Sequence, residues 1–253
     1  MRYCDSIGIA ALAAGVRAFV LEKPLAPTLA EAEALGESLR SARALVAVNY
    51  LRRYAPGLQA VAERLRRGDL GPVQVATVHY GKGLNNNGSH AIDLMRWWLG
   101  EPVRVTVGGV VDDGRDGDPT WHVRYEVQAE SGLVPVHLHG SDHRAVSLFE
   151  VDVLCAKGRI RVTERGAVVA SSDVVDDPAF PGYSALGPEV KTEGGVTRAL
   201  GGLWEDMAAV LAGARSAPRC TFDDGLAALR VVEATRRAAA TGRTVPISIG
   251  EER

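Results

Sequence analysis

Apolar positions along the chain recur first with a helical period, then with a strand period, and the change comes near residue 72. Residues 5–15 predict a helix that Gly15 closes. Residues 17–21 (Arg-Ala-Phe-Val-Leu) predict a buried strand. Thr28 and Glu31 then form a capping box, ahead of a helix with Ala32, Leu35 and Leu39 on one face. A β-branched strand over 44–50 follows. Next comes a helical stripe of Leu58, Val61, Ala62 and Leu65, which Gly68 stops. This alternation of strand and helix belongs to a doubly wound sheet.

Beyond Pro72 the period is mostly two. Strands are predicted at 73–80, 103–111, 121–130, 133–140, 145–155, 159–163 and 166–171. Asp113-Gly114, Ser131-Gly132, Lys157-Gly158 and Arg165-Gly166 separate them. One helix, over 88–99, interrupts the run. A series of strands joined by such turns predicts a large, mostly antiparallel sheet. Residues 173–196, rich in Pro, Gly and Asp, read as a long loop. Helices at 199–213 and 222–240 follow, the second capped by Thr221 and Asp224.

Two segments carry candidate chemistry. Glu22-Lys23-Pro24 ends the strand 17–21. A charged pair there needs a reason, because burying an unpartnered lysine is costly. Proline turns the chain out of the sheet, and the carboxyl end of such a strand is where ligands bind. On the helix 88–99, His90 and Asp93 lie about 60° apart on one face. Asn86 joins their line if the helix starts early. Gly88 and Ser89 leave room for a close approach of ligand or backbone.

Taken in order, "ALAAGVRAFVLEKPLAPTLAEAEAL", "VNYLRRYAP", "NNNGSHAIDLMRWWLGEP" and "DDGLAALRVVEATRRAAATGRTVPI" resemble segments of the Gfo/Idh/MocA family of NAD(P)-dependent oxidoreductases. The resemblance covers nearly the whole chain. It implies the remnant of a Rossmann-like domain over residues 1–50. An α+β domain for substrate binding and oligomerisation would occupy 51–253. It implies a nicotinamide cofactor, NAD or NADP, met by Glu22, Lys23 and Pro24, and oxidation of a CH–OH group on a sugar, polyol or inositol. Lys23 and His90 match the family's catalytic lysine and histidine. His90 would take the hydroxyl proton, and Lys23 would hydrogen-bond the same oxygen. The family's usual Asp four residues before the histidine is Asn86 here; an amide can orient a substrate but cannot serve as a base. Asp93 would orient His90. Tyr50 and Arg53 follow the crossover strand, and Lys82 ends the strand before the helix; all three are candidates to reach the substrate. The family's Gly-x-Gly-x-x-Gly turn is nowhere in the sequence. The nucleotide-binding half is therefore expected to be missing. The chain would then be a shortened form, be completed by another chain, or work without a dinucleotide. In that last case it would be a proton-transfer lyase or epimerase, or a binding and assembly protein.

Composition adds limits. A formal net charge of −2 favours neither nucleic acid nor an anionic membrane, and no apolar run reaches membrane-spanning length. Cys4, Cys155 and Cys220 are too scattered for a disulfide framework, which reads as a reducing cytoplasm. His137 and His139 alternate on one strand, and His79 and His122 could join them from others. Without a supporting cysteine pair or helical motif, no metal site is expected. These histidines read as a polar sheet face, with a homodimer or homotetramer forming through that open face.

Overall fold

The computed structural model describes the backbone of residues 3–115 and 117–248, with side chains from Gly8 onward. The side chain of Cys4 lies outside the described residues. The first part holds α1 (Tyr3–Ala13), β1 (Ala18–Leu21), α2 (Leu29–Ser41) and β2 (Leu45–Val48). β1 and β2 pair in parallel, Ala18 opposite Leu45 through Leu21 opposite Val48. The capping box at α2 is present: the Thr28 hydroxyl accepts from the Glu31 N–H at 3.3 Å, and the Glu31 carboxylate accepts from the Thr28 N–H at 3.0 Å. A 3₁₀ turn (Leu51–Tyr54) leads into α3 (Pro56–Arg66), where Pro56 at the helix start gives up no needed hydrogen bond.

Next come β3 (Val73–Tyr80), a π-helical turn (Gly83–Gly88) and α4 (Ser89–Leu99). The sheet continues with β4 (Glu101–Val111), β5 (Thr120–Ala129), β6 (Gly132–Gly140), β7 (Phe149–Cys155), β8 (Gly158–Thr163), β9 (Val168–Asp176), β10 (Ser184–Leu186) and β11 (Val190–Glu193). Then follow α5 (Ala199–Leu211), α6 (Phe222–Thr241) and β12 (Val245–Pro246). The strands order as β10-β9-β8-β7-β3-β6-β5-β4-β12, with β11 also on β9. Among these pairs only β3–β6 is parallel. The fold is therefore α/β plus α+β, as the sequence pattern predicts.

Strand alternation separates the two faces of the sheet. Ala76, Val78 and Tyr80, Val123, Tyr125 and Val127, and Val134, Val136 and Leu138 are buried. Their alternates Thr77, His79, His122, Arg124, His137 and His139 are half-buried or exposed. Helices α4 and α6 cover the buried face, and α6 also packs on β2 and α2. It is fixed there by the Thr221–Asp224 capping box and by Val48 N–H donating to the Cys220 carbonyl at 3.0 Å. The capping of α6 follows the sequence pattern.

One expectation fails. Residues 173–196 are not a long loop. β9 runs on to Asp176, and β10 and β11 fold back on it, Ser184 opposite Asp176 and Val190 opposite Ser171. All four β11 side chains are exposed. These edge strands are held by backbone pairing, so no apolar alternation marks them.

Candidate functional site

The carboxyl ends of β1 and β2, the end of β3 and the start of α4 converge. Lys23 leaves the end of β1, and its ammonium donates to the backbone carbonyl of Asn86 and to the Asn86 side-chain Oδ1, the latter at 3.1 Å. The departure at Asn86 thus has a local role: the amide, with its own carbonyl, fixes the lysine. Asn86 is held in turn by Asp118, whose two carboxylate oxygens accept from the Asn85 and Asn86 N–H groups at 2.8 and 2.9 Å. Lys82 adopts a left-handed conformation, φ 67°, and starts the π-helical turn. Gly83 follows at φ 85° against Asp118, a position that admits no side chain. Glu22 is exposed and accepts from the Asn49 amide at 2.7 Å, tying the end of β1 to that of β2.

Burial, helped by Arg52 and opposed by Glu22 and Asp118, lowers the Lys23 pKa from 10.5 to about 8. His90 is pushed well below its ordinary 6.5, first by burial and then by the Arg52 and Lys23 charges. Its imidazole is therefore neutral at pH 7, and its Nδ1 is buried with no hydrogen-bond partner among the described residues. The Tyr50 ring stands edge-on to it, centroids 5.6 Å apart, and fixes the imidazole plane. Tyr50 itself is 3% exposed and hydrogen-bonded to Ser89. It supports the histidine and does not face solvent.

Arg53 and Asp93 sit elsewhere than the sequence pattern places them. The Arg53 Nε donates to both Asp93 oxygens at 3.1 and 3.0 Å, and a terminal nitrogen donates at 2.9 Å. Asp224 is 3.1 Å from the other terminal nitrogen, which also donates to the Arg219 carbonyl. Arg53 is 5% exposed and Asp93 1%. The expected Asp93–His90 pairing is absent; Asp93 instead answers Arg53, and neither has a face left for substrate. The pair locks the 3₁₀ turn to α4 and to the start of α6. Gly88 likewise admits close approach, but of the Tyr80 ring: a Cβ there would lie 2.9 Å from it.

Arg52 is the residue that sequence reasoning missed. Its guanidinium lies 3.5 Å above the Phe149 ring, and its Nε is buried with no hydrogen-bond partner among the described residues. Successive residues of a 3₁₀ turn point about 120° apart. Of two adjacent arginines one therefore faces away from the buried pair, but which one depends on where Asp93 comes to lie.

The site thus gathers a neutral imidazole, a desolvated ammonium, a guanidinium and two amides at the carboxyl end of a parallel strand pair. Levoglucosan dehydrogenase, solved with NADH and levoglucosan, superposes with a TM-score of 0.79 at 17% identity, over 98% of this chain and 79% of that one. The chain has the fold of the Gfo/Idh/MocA-type oxidoreductases. An aldose-aldose oxidoreductase from Caulobacter crescentus, solved with glycerol, matches with a TM-score of 0.75 and 22% identity over 97% of this chain and 76% of its own. The super-repressor mutant of Gal80p from Saccharomyces cerevisiae matches with a TM-score of 0.77 and 13% identity over 93% and 74%. No family model and no curated protein matches the chain. Among the described residues no helix is long and apolar enough to cross a membrane.

Proposed function

We propose that the protein is an oxidoreductase acting on a CH–OH group of a sugar, polyol or inositol with NAD or NADP. The observation that carries this reading is the convergence of a neutral His90 with the desolvated Lys23 beside the start of α4. A hydroxyl placed between them gives its proton to the unpartnered side of the imidazole. The Lys23 ammonium and the Arg52 charge stabilise the alkoxide that forms. Asn86 keeps the ammonium in place, and Lys82, which starts the π-helical turn, would supply a further hydroxyl-binding group. Tyr50, Arg53 and Asp93 are positioning residues that hold the turn and the helix.

The orphaned polar atoms His90 Nδ1, Asn85 Oδ1 and Arg52 Nε fit a polar ligand at the strand ends. Glu22, Lys23 and Pro24 would border its nicotinamide end. When bound, such a group supplies hydride acceptance. The sequence contains no glycine-rich turn to hold a pyrophosphate. A lysine whose pKa of about 8 suits proton transfer supports a second reading: a cofactor-independent lyase or epimerase using the same residues.

In either case residues 1–50 serve as part of a Rossmann-like domain, and residues 51–253 bind substrate and associate through the open sheet face. Gel filtration giving a dimer or tetramer supports that association, and a monomer alone contradicts it. The test of function is turnover of a sugar and polyol panel with NAD+ or NADP+, followed by nicotinamide absorbance. His90→Ala and Lys23→Met should each lose about 10²–10⁴-fold. Full activity in His90→Ala would remove the assignment, and epimerisation without absorbance change would select the second reading.

A further inference from the structure

The open face of the sheet carries four of the protein's six histidines in one patch. His79 on β3 lies directly opposite His139 on β6. Val123 opposite Leu138 sets His122 on β5 at the other flank of His139. His137 lies two residues from His139 on the same strand and therefore on the same face. Ring centroids are 5.4 Å apart for His79–His139 and 6.1 Å for both His122–His139 and His137–His139. His139 is the hub. Glu150 on β7 stands opposite His79, so a row of Glu150, His79, His139 and His122 crosses four adjacent strands.

We propose that His79, His122, His137 and His139 form a binding site for a first-row transition-metal ion of the zinc class, centred on His139. Two imidazoles at alternate positions of one strand, with one on each neighbouring strand, border a common stretch of the face. Tetrahedral zinc at about 2.0–2.1 Å from each nitrogen brings bound ring centroids to about 5 Å apart. The three ring pairs that include His139 are within about 1 Å of that spacing. In the present side-chain positions no three donors among the described residues are gathered on one point, so the rings must turn. They can do so. In the single chain His79, His122 and His139 are exposed, and the residue opposite His122 on β4 is Gly109, which crowds nothing; the patch shares the open face with the association proposed above, so the rings turn before copies close on it. Arg124 faces the patch opposite His137, but its charge is directed to Glu126 at 3.4 Å. Glu150 supplies a carboxylate at the edge to offset the metal charge. This goes against the expectation drawn from the sequence, which names the same four histidines and sets a metal aside for want of a cysteine pair or helical motif; the order β3-β6-β5 brings them onto one face.

The site is distinct from the cleft of Lys23 and His90, which lies at the strand ends. The test is titration of the untagged, metal-stripped full chain with Zn²⁺ by calorimetry, and with Co²⁺ by visible absorption. The expected result is one metal per chain and the intense absorption of tetrahedral cobalt. His139→Ala should lose about 100-fold or more in affinity, and His79→Gln with His122→Gln should also weaken it. His143→Ala is the control, because His143 sits apart with Asp113 at 3.4 Å. Unchanged metal binding in a folded His139→Ala variant, or no saturable binding at one per chain, would overturn the site.

Discussion

Replacing Lys23 with methionine removes a charge that the fold holds against its own preference, and the consequence for stability can be worked out with its sign. In the unfolded chain the lysine binds its proton up to about pH 10.5; in the folded chain it releases it near 8. Between those values unfolding takes up a proton, so wild-type stability rises with pH through that window. Below pH 8 the charged lysine is a cost to the fold. The gap corresponds to about 3 kcal/mol at about 1.4 kcal/mol per pH unit. The amine is partly open to solvent, which screens the charge and leaves about 2 kcal/mol. Methionine carries no such charge, but it forfeits the hydrogen bonds to Asn86, worth about 1–3 kcal/mol together when charged. The absolute difference at pH 7 is therefore small. The change with pH is not. Urea unfolding of both proteins at pH 7 and pH 10.5 should show wild type gaining about 2 kcal/mol on Lys23→Met. Other alkaline groups cancel in the comparison. A difference that stays flat, or a wild type that loses ground as pH rises, would refute the claim that burial governs this lysine.

Two further outcomes follow from the same geometry. Arg53→Met leaves Asp93 buried without its ion-pair partner, and thermal or urea unfolding should show a loss of about 3–5 kcal/mol; a loss below about 1 kcal/mol would mean the pair is not holding the turn. In the oxidoreductase reading, kcat/KM should fall on the alkaline side near pH 8 as Lys23 loses its proton. It should hold on the acid side to well below 6.5, where His90 finally protonates. A pH–rate profile lacking the limb near 8 would remove Lys23 from that role.

The elements whose side chains alternate or follow a helical period were legible because one face of each is buried. α2, α3, α6 and the strands β3 to β9 fall into this class. β10 and β11 were not, because edge strands with exposed side chains leave only backbone pairing. At the site, Lys23 and His90 could be named from sequence because a charged strand end and a polar helix face are both local patterns. Their meeting is not local: Lys23 reaches Asn86 across 63 residues of chain, and only the step from Asn86 to His90 is short, since the π-helical turn directly precedes α4. The pairing of Asp93 was misread for a non-local reason. His90 and Asp93 share a helix face, but only His90 lies at the cleft; one turn on, the 3₁₀ turn and the start of α6 lie against that face and deliver Arg53 and Asp224. No window of sequence contains those three segments together. The choice of Arg53 over Arg52 failed likewise, since which of two neighbouring arginines is buried depends on where Asp93 comes to lie. The four-histidine patch is non-local in the same sense, assembled by the order of β3, β6 and β5.

The most direct test of the central claim is a fluorescence titration of the purified 253-residue chain with NADH and NADPH. The account predicts saturable binding of one of them at the strand ends, weakened in Lys23→Met. A well-folded chain that binds neither would contradict the nicotinamide reading, leaving proton transfer by Lys23 and His90 or a non-catalytic role.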